Sequence, residues 1–141
     1  MHQPVLYLSE FFERNKSHYY ENLTRVRLHN DIQQWFKFFL VGTIEMAIKG
    51  VEGLRKILAL KKDIQQNRLS VLGSTNAMTL LNALFVKPIV SVDDVALAIG
   101  KSNVTSYKLI AEFERLGILT KKTDNQRNPY YVFQEYFKIF E

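Results

Sequence analysis

Residues 91–119 constrain the fold more than any other part of the sequence. In this range a glycine turn separates two short segments whose apolar residues recur at helical spacing. Ser91 can cap a helix that has two aspartates in its first turn, and Gly100 suits the left-handed residue that ends such a helix. Ser102 can cap a second helix. At 100° per residue, one stripe of that helix is predicted to face the core, and it consists of Ser106, Leu109, Ile110, Phe113 and Leu116. The pattern predicts a helix-turn-helix.

A strand–loop–strand pattern follows the second helix. Gly117 ends that helix, residues 118–119 start an apolar strand, and residues 130–133 form another. The loop between the strands is basic and has turn chemistry at Asp124-Asn125. We therefore predict a mainly α fold that ends in a winged helix-turn-helix domain with a small β-hairpin wing.

The preceding half of the chain is predicted to be helical. Asn30 or Asp31 can cap a long helix from about residue 32 to the late 60s, with a kink or break allowed at its glycines. Apolar residues recur in this helix at steps of four and three, as Leu40, Ile44, Ala47, Val51, Leu54 and Leu58. The best boundary signal is Gly73-Ser74-Thr75, after which a helix runs to Lys87-Pro88. This signal divides the chain into a helical region, 1–72, and the winged helix-turn-helix domain, 73–141.

The composition limits the class of partner and the cellular compartment. A formal net charge of +5 favours acidic partners, above all double-stranded DNA, although many basic proteins have no such partner. The absence of cysteine excludes disulfides and thiolate metal sites within this sequence and agrees with a cytoplasmic location. The most apolar stretch, residues 35–42, contains Lys37 and is far shorter than a membrane span, so we expect no membrane association.

The second helix of the motif and the wing supply the candidate nucleic-acid-binding residues. Polar residues near the start of this helix would meet base edges, and basic residues of the wing would meet phosphates. The predicted set is Ser102, Asn103, Thr105, Tyr107, Lys108, Lys121, Lys122 and Arg127. Glu112 and Glu114 on the same helix would repel phosphate if they faced it. Since winged helices also bind proteins, the alternative is an interaction, dimerisation or target-recruitment module that does not bind DNA.

The sequence contains no recognisable catalytic motif. His2, His18 and His29 lack the spacing of metal ligands, and no glycine-rich phosphate loop or nucleophile elbow is present. We therefore predict no catalytic residue, no metal site, no cofactor and no enzymatic activity for this chain.

Several segments together carry a family resemblance. They are Pro4-Val5-Leu6-Tyr7-Leu8-Ser9, Tyr19-Tyr20-Glu21-Asn22-Leu23, Val26-Arg27, Trp35-Phe36-Lys37-Phe38-Phe39-Leu40, and the tail Leu116-Gly117-Ile118-Leu119 with Arg127-Asn128 and Tyr131. The earlier segments resemble the part of Fic (filamentation induced by cAMP) proteins that follows their catalytic loop. The tail is similar to the C-terminal winged-helix domain of the same proteins.

The resemblance implies a function for a longer parent protein. Fic proteins usually transfer AMP from ATP to a hydroxyl of a target protein, with a metal ion such as Mg²⁺, through a His-Pro-Phe-x-x-Gly-Asn-Gly-Arg loop. This sequence lacks that loop, so the resemblance implies a non-catalytic C-terminal part of a protein adenylyltransferase, with the target protein of the parent as a partner. Aromatic residues around the whole circumference of the helix near Trp35 also predict self-association through the N-terminal helical region.

Overall fold

The computed structural model describes residues 8–122 and 129–141. These residues form a mainly helical structure with a small three-stranded antiparallel sheet, which confirms that part of the predicted fold class. They fall into two compact units that meet in sequence at Arg55 and Lys56. Because this division lies inside a continuous helix, it does not test where a separable domain begins, and the boundary at 72/73 stays a prediction.

The N-terminal unit is built from α1 (Leu8–Arg14), α2 (Lys16–His29) and the first part of α3 (Ile32–Asp63). As predicted, α3 begins at residue 32, where the Asp31 carboxylate accepts the backbone N–H of Gln34 at 3.3 Å. The helix passes through its three glycines without interruption.

The end of α3 differs from the prediction. The helix stops at Asp63, and a π-helical turn (Ile64–Arg68) and a 3₁₀ turn (Leu69–Val71) carry the chain through the late 60s. The regular apolar repeat ends earlier, at Leu58, and Ile64 and Leu69 both belong to the core of the C-terminal unit. A widened turn of this kind lets the two side chains face the same core.

Aromatic packing holds the N-terminal unit together. The Phe11 ring of α1 is buried against Gly42 of α3, and its centroid lies 5.2 Å from that of Phe38. Phe12 extends the cluster toward Tyr19, with ring centroids 5.1 Å apart, and toward Trp35 at 6.2 Å. The sequence predicted that the aromatic residues near Trp35 need contact on more than one side. Packing within the N-terminal unit supplies part of that contact.

The C-terminal unit continues with α4 (Thr75–Val86), β1 (Ile89–Val90), α5 (Val92–Ile99), α6 (Asn103–Arg115), β2 (Thr120–Lys121), β3 (Tyr131–Val132) and α7 (Gln134–Phe137). The three strands lie in the order β1-β3-β2, and both neighbouring pairs are antiparallel. β1 was not expected from the sequence, and β2 begins at Thr120 rather than at the predicted residue 118. Ile118 and Leu119 are instead buried before the strand, where both backbone N–H groups bond to the carbonyl of Phe113.

One hydrophobic core joins the helices and strands of the C-terminal unit. Its most buried members, each 0–1% exposed, are Ile64, Ala77, Leu80, Leu81, Leu84, Val95, Ile110, Phe113, Ile118 and Phe133. Arg68 ties α7 to the turn after α3, since its guanidinium meets both carboxylate oxygens of Glu135 and also Asp63 at 3.2 Å. This core fixes the orientation of α6 relative to the sheet.

Candidate nucleic-acid interface

A complete capping box starts α5 and sets the geometry of the helix pair. The Ser91 hydroxyl accepts the backbone N–H of Asp94 at 3.2 Å, and the Asp94 carboxylate accepts the backbone N–H of Ser91 at 2.9 Å. The Lys87 ammonium, which donates to Asp94 at 2.6 Å, and the Ser91 backbone hold the pKa of that carboxyl below its usual range. Gly100 ends the helix in the left-handed region, at φ 64°, which favours glycine because it has no Cβ.

α6 presents two distinct faces, as its sequence pattern predicts. Ser106, Ile110 and Phe113 are buried, and the Ser106 hydroxyl donates to the Ser102 carbonyl at 3.0 Å. The opposite face is exposed and consists of Val104, Tyr107, Lys108, Ala111 and Arg115. This face is therefore open to a partner along the full length of the helix.

The predicted residues at the start of α6 are brought together, but three of them already have partners. The Ser102 hydroxyl accepts the backbone N–H of Thr105 at 3.4 Å and lies 3.2 Å from the Thr105 hydroxyl. The Asn103 amide donates to the Asp93 carboxylate of α5 at 3.1 Å. Ser102 and Thr105 thus act first as a helix cap, and Asn103 would have to exchange a hydrogen bond in order to read a base.

The lysines of the predicted set have no ion-pair partner in the part of the chain that the structure describes. Lys108 on α6, Lys121 at the end of β2 and Lys122 directly after it are all exposed. The backbone N–H of Lys122 donates to the Tyr130 carbonyl at 2.9 Å, which fixes the base of that connection. Arg127, the last predicted residue, lies outside the described residues.

Two carboxylates lie near this face, and one of them is paired with a cation. Glu112 accepts the guanidinium of Arg115 at 2.6 Å, so Arg115 is a paired cation rather than a free one. Glu114 lies beside the buried Tyr131 of β3, and the pKa of the Tyr131 hydroxyl is raised first by burial and then by this carboxylate. Sequence analysis missed one further exposed cation, Lys101, although its place directly before the Ser102 cap could have indicated it.

Two other kinds of feature, a metal site and a membrane-spanning helix, are absent from the described residues. No group of three His, Asp or Glu side chains in residues 8–122 and 129–141 is arranged to hold a metal ion. Over the same residues, no helix combines the length and the hydropathy needed to cross a bilayer.

No protein-family model matches the chain, and no curated protein matches its sequence.

Proposed function

We propose that the C-terminal unit is a winged helix-turn-helix that binds double-stranded DNA. The winged-helix assignment is supported by the order of elements from α4 to β3, which is helix, strand, helix, helix, strand, strand, and by the sheet order β1-β3-β2. The observation that carries DNA binding is the exposed face of α6 with Lys108 on it, together with exposed Lys121 and Lys122, since none of these lysines pairs with a carboxylate among residues 8–122 and 129–141. Such lysines favour phosphate because binding releases condensed counterions.

In this proposal the two groups of residues have different roles. Lys121 and Lys122 contact phosphates and position the unit, which contributes affinity but no sequence preference. Tyr107 and Lys108 on the exposed face of α6 contact base edges in the major groove. Asn103 contributes less to base recognition, because contact with a base would break the existing hydrogen bond from its amide to Asp93.

Fluorescence anisotropy with a labelled duplex at low salt tests this function. Lys121→Ala combined with Lys122→Ala should weaken binding to all sequences alike. The matched control is Lys56→Ala combined with Lys62→Ala, which removes the same charge from two exposed lysines of α3. Equal losses in both double variants would mean that the chain binds DNA only through its net charge, and an absence of binding at low salt would refute the proposal.

A protein-interaction module of the same fold is the alternative, and a specific observation favours it. Leu97 of α5 is 85% exposed and Val104 of α6 is 66% exposed, although apolar side chains on a DNA-binding face add little beyond contact with thymine methyl groups. If duplex DNA does not bind, Leu97→Asp and Val104→Asp become the variants to test against a candidate target protein. Loss of binding in these variants, with the lysine variants unaffected, would establish the alternative.

The Fic resemblance extends the proposal to a parent protein. We place the chain as a non-catalytic, cytoplasmic part of a protein adenylyltransferase, so that ATP and Mg²⁺ belong to the parent and not to this chain. This role is supported by the sequence segments, described above, that resemble Fic proteins. Incubation of the chain with labelled ATP and candidate targets should give no label transfer, and transfer by the purified chain would contradict this role.

A further inference from the structure

A row of apolar side chains on α3 has no partner within residues 8–55. We call it the α3 seam, and it consists of Leu40, Ile44, Ala47, Val51 and Leu54. The four larger side chains are 54%, 59%, 49% and 41% exposed, respectively. Monomeric proteins seldom leave a continuous apolar row of this kind in water. The seam therefore indicates an interaction surface.

The seam is separate from the face of α3 that packs inside its own unit. Gly42 and Met46 are the buried residues of α3, and at 100° per residue they lie about 140° around the helix from the seam. Charged residues of α3 pair with α1 next to these buried residues, and likewise away from the seam, through Glu45 to Arg14 and Lys49 to Glu10. The packing of α1 thus leaves the seam uncovered.

The types and the spacing of the residues in the α3 seam indicate which partner can pack against it. Their steps of four, three, four and three place Ile44 and Val51 at a positions and the other three at d positions of a heptad repeat. In parallel coiled coils, β-branched residues at a with leucine at d favour two strands, and leucine fills two of the three d positions here, as Leu40 and Leu54. We infer that the α3 seam packs in parallel against the α3 seam of a second copy of this chain.

Charge and area both agree with a second copy. In a parallel pair the flanking e and g positions face each other, so Arg55 of one copy lies opposite Gly50 of the other and no like charges meet. Val41 and Ile48 at e positions are 57% and 56% exposed and widen the apolar surface. With them the seam offers on the order of 600 Å² per copy, close to the ~800 Å² per partner of a standard interface.

Sedimentation equilibrium of the full chain tests the pairing. The chain should form a dimer whose dissociation constant rises at least tenfold in Val51→Lys. The control Ala59→Lys adds the same side chain to an exposed site of α3 outside the heptad core and should leave the dimer unchanged. A wild-type monomer at all concentrations, or a dimer unaffected by Val51→Lys, would overturn the inference, and circular dichroism shows whether each variant keeps its helix content.

Single cysteines test the parallel orientation, since the chain contains none of its own. In a parallel pair Leu40→Cys meets Leu40→Cys of the other copy, and Leu54→Cys likewise meets its own equivalent. Each variant alone should therefore give a disulfide-linked dimer on mild oxidation. Cross-linking only in a mixture of the two variants would show an antiparallel pair, and no cross-linking in any sample would exclude contact at the seam. Either result overturns the inference.

Discussion

Replacing Gly42 with alanine tests how closely α1 packs on α3. A Cβ built on Gly42 would overlap the ring of Phe11, whose Cγ would be 3.0 Å away, whereas a Cβ on Gly53 meets no atom within 4 Å. Both glycines lie inside the same helix and the same unit. Both alanine variants should therefore gain the same helix propensity, but only Gly42→Ala should also introduce a steric clash with Phe11.

The size of each effect follows from these contacts. Alanine in a helix interior is favoured over glycine by about 1 kcal/mol. Forcing an extra carbon into a packed site typically costs about 1–3 kcal/mol, and Phe11, which is 4% exposed, has little room to move aside. Gly42→Ala should thus lower the free energy of unfolding by about 1 kcal/mol, and Gly53→Ala should raise it by about 1 kcal/mol.

Urea unfolding followed by tryptophan fluorescence measures this difference. Trp35 is the single tryptophan of the chain and lies in the aromatic cluster beside Phe12, so its emission reports on the N-terminal unit. The midpoint should fall for Gly42→Ala and rise for Gly53→Ala. Equal stabilisation of both variants would refute the close approach of Phe11 to Gly42.

Three further predictions concern the C-terminal unit. A double-mutant cycle on Arg68 and Glu135 should give a coupling free energy of about 1–2 kcal/mol, because the pair is bidentate and partly buried, and additive effects would contradict this. Ser91→Ala removes the capping box and should lower the free energy of unfolding in urea by about 1 kcal/mol, whereas an unchanged midpoint would show that the cap is not formed. Because Lys87 lowers the pKa of Asp94 in the folded state, the unfolded state takes up a proton first as the pH falls, so the stabilisation is present at neutral pH and is lost below about pH 4. The difference in unfolding free energy between the wild type and Asp94→Asn should therefore shrink between pH 7 and pH 3, and a constant difference would argue against this ion pair.

Local sequence signals predicted much of the C-terminal unit. Ser91, Gly100 and Ser102 act through their immediate neighbours, so the bounds of α5 and the start of α6 are readable from the chain. The stripe from Ser106 to Leu116 was also readable, because helical period alone decides which side chains face the core.

Features that depend on distant partners were missed. β1 has two residues and exists because Ile89 and Val90 pair with β3, about forty residues later, which no local pattern reveals. The pairing of Arg68 with Glu135 is equally non-local.

For the candidate site, the sequence placed Tyr107 and Lys108 on the exposed face of α6, as the structure does, but it did not show the hydrogen bonds of the neighbouring candidates. The Asn103 amide was predicted to read a base, and only the structure shows that it is bonded to Asp93. Conversely, the heptad repeat of α3 was visible in the sequence. Only the structure shows that this repeat is exposed, because α1 packs on a different face of α3.

The salt dependence of duplex DNA binding tests the central claim most directly. If Lys121 and Lys122 each neutralise one phosphate, the plot of log K against log salt has a slope of about −1.8, and affinity falls about 12-fold between 50 and 200 mM salt. Lys121→Ala combined with Lys122→Ala should bring the slope close to zero. A slope near zero for the wild-type chain, or the same slope in both proteins, would contradict DNA binding through these lysines.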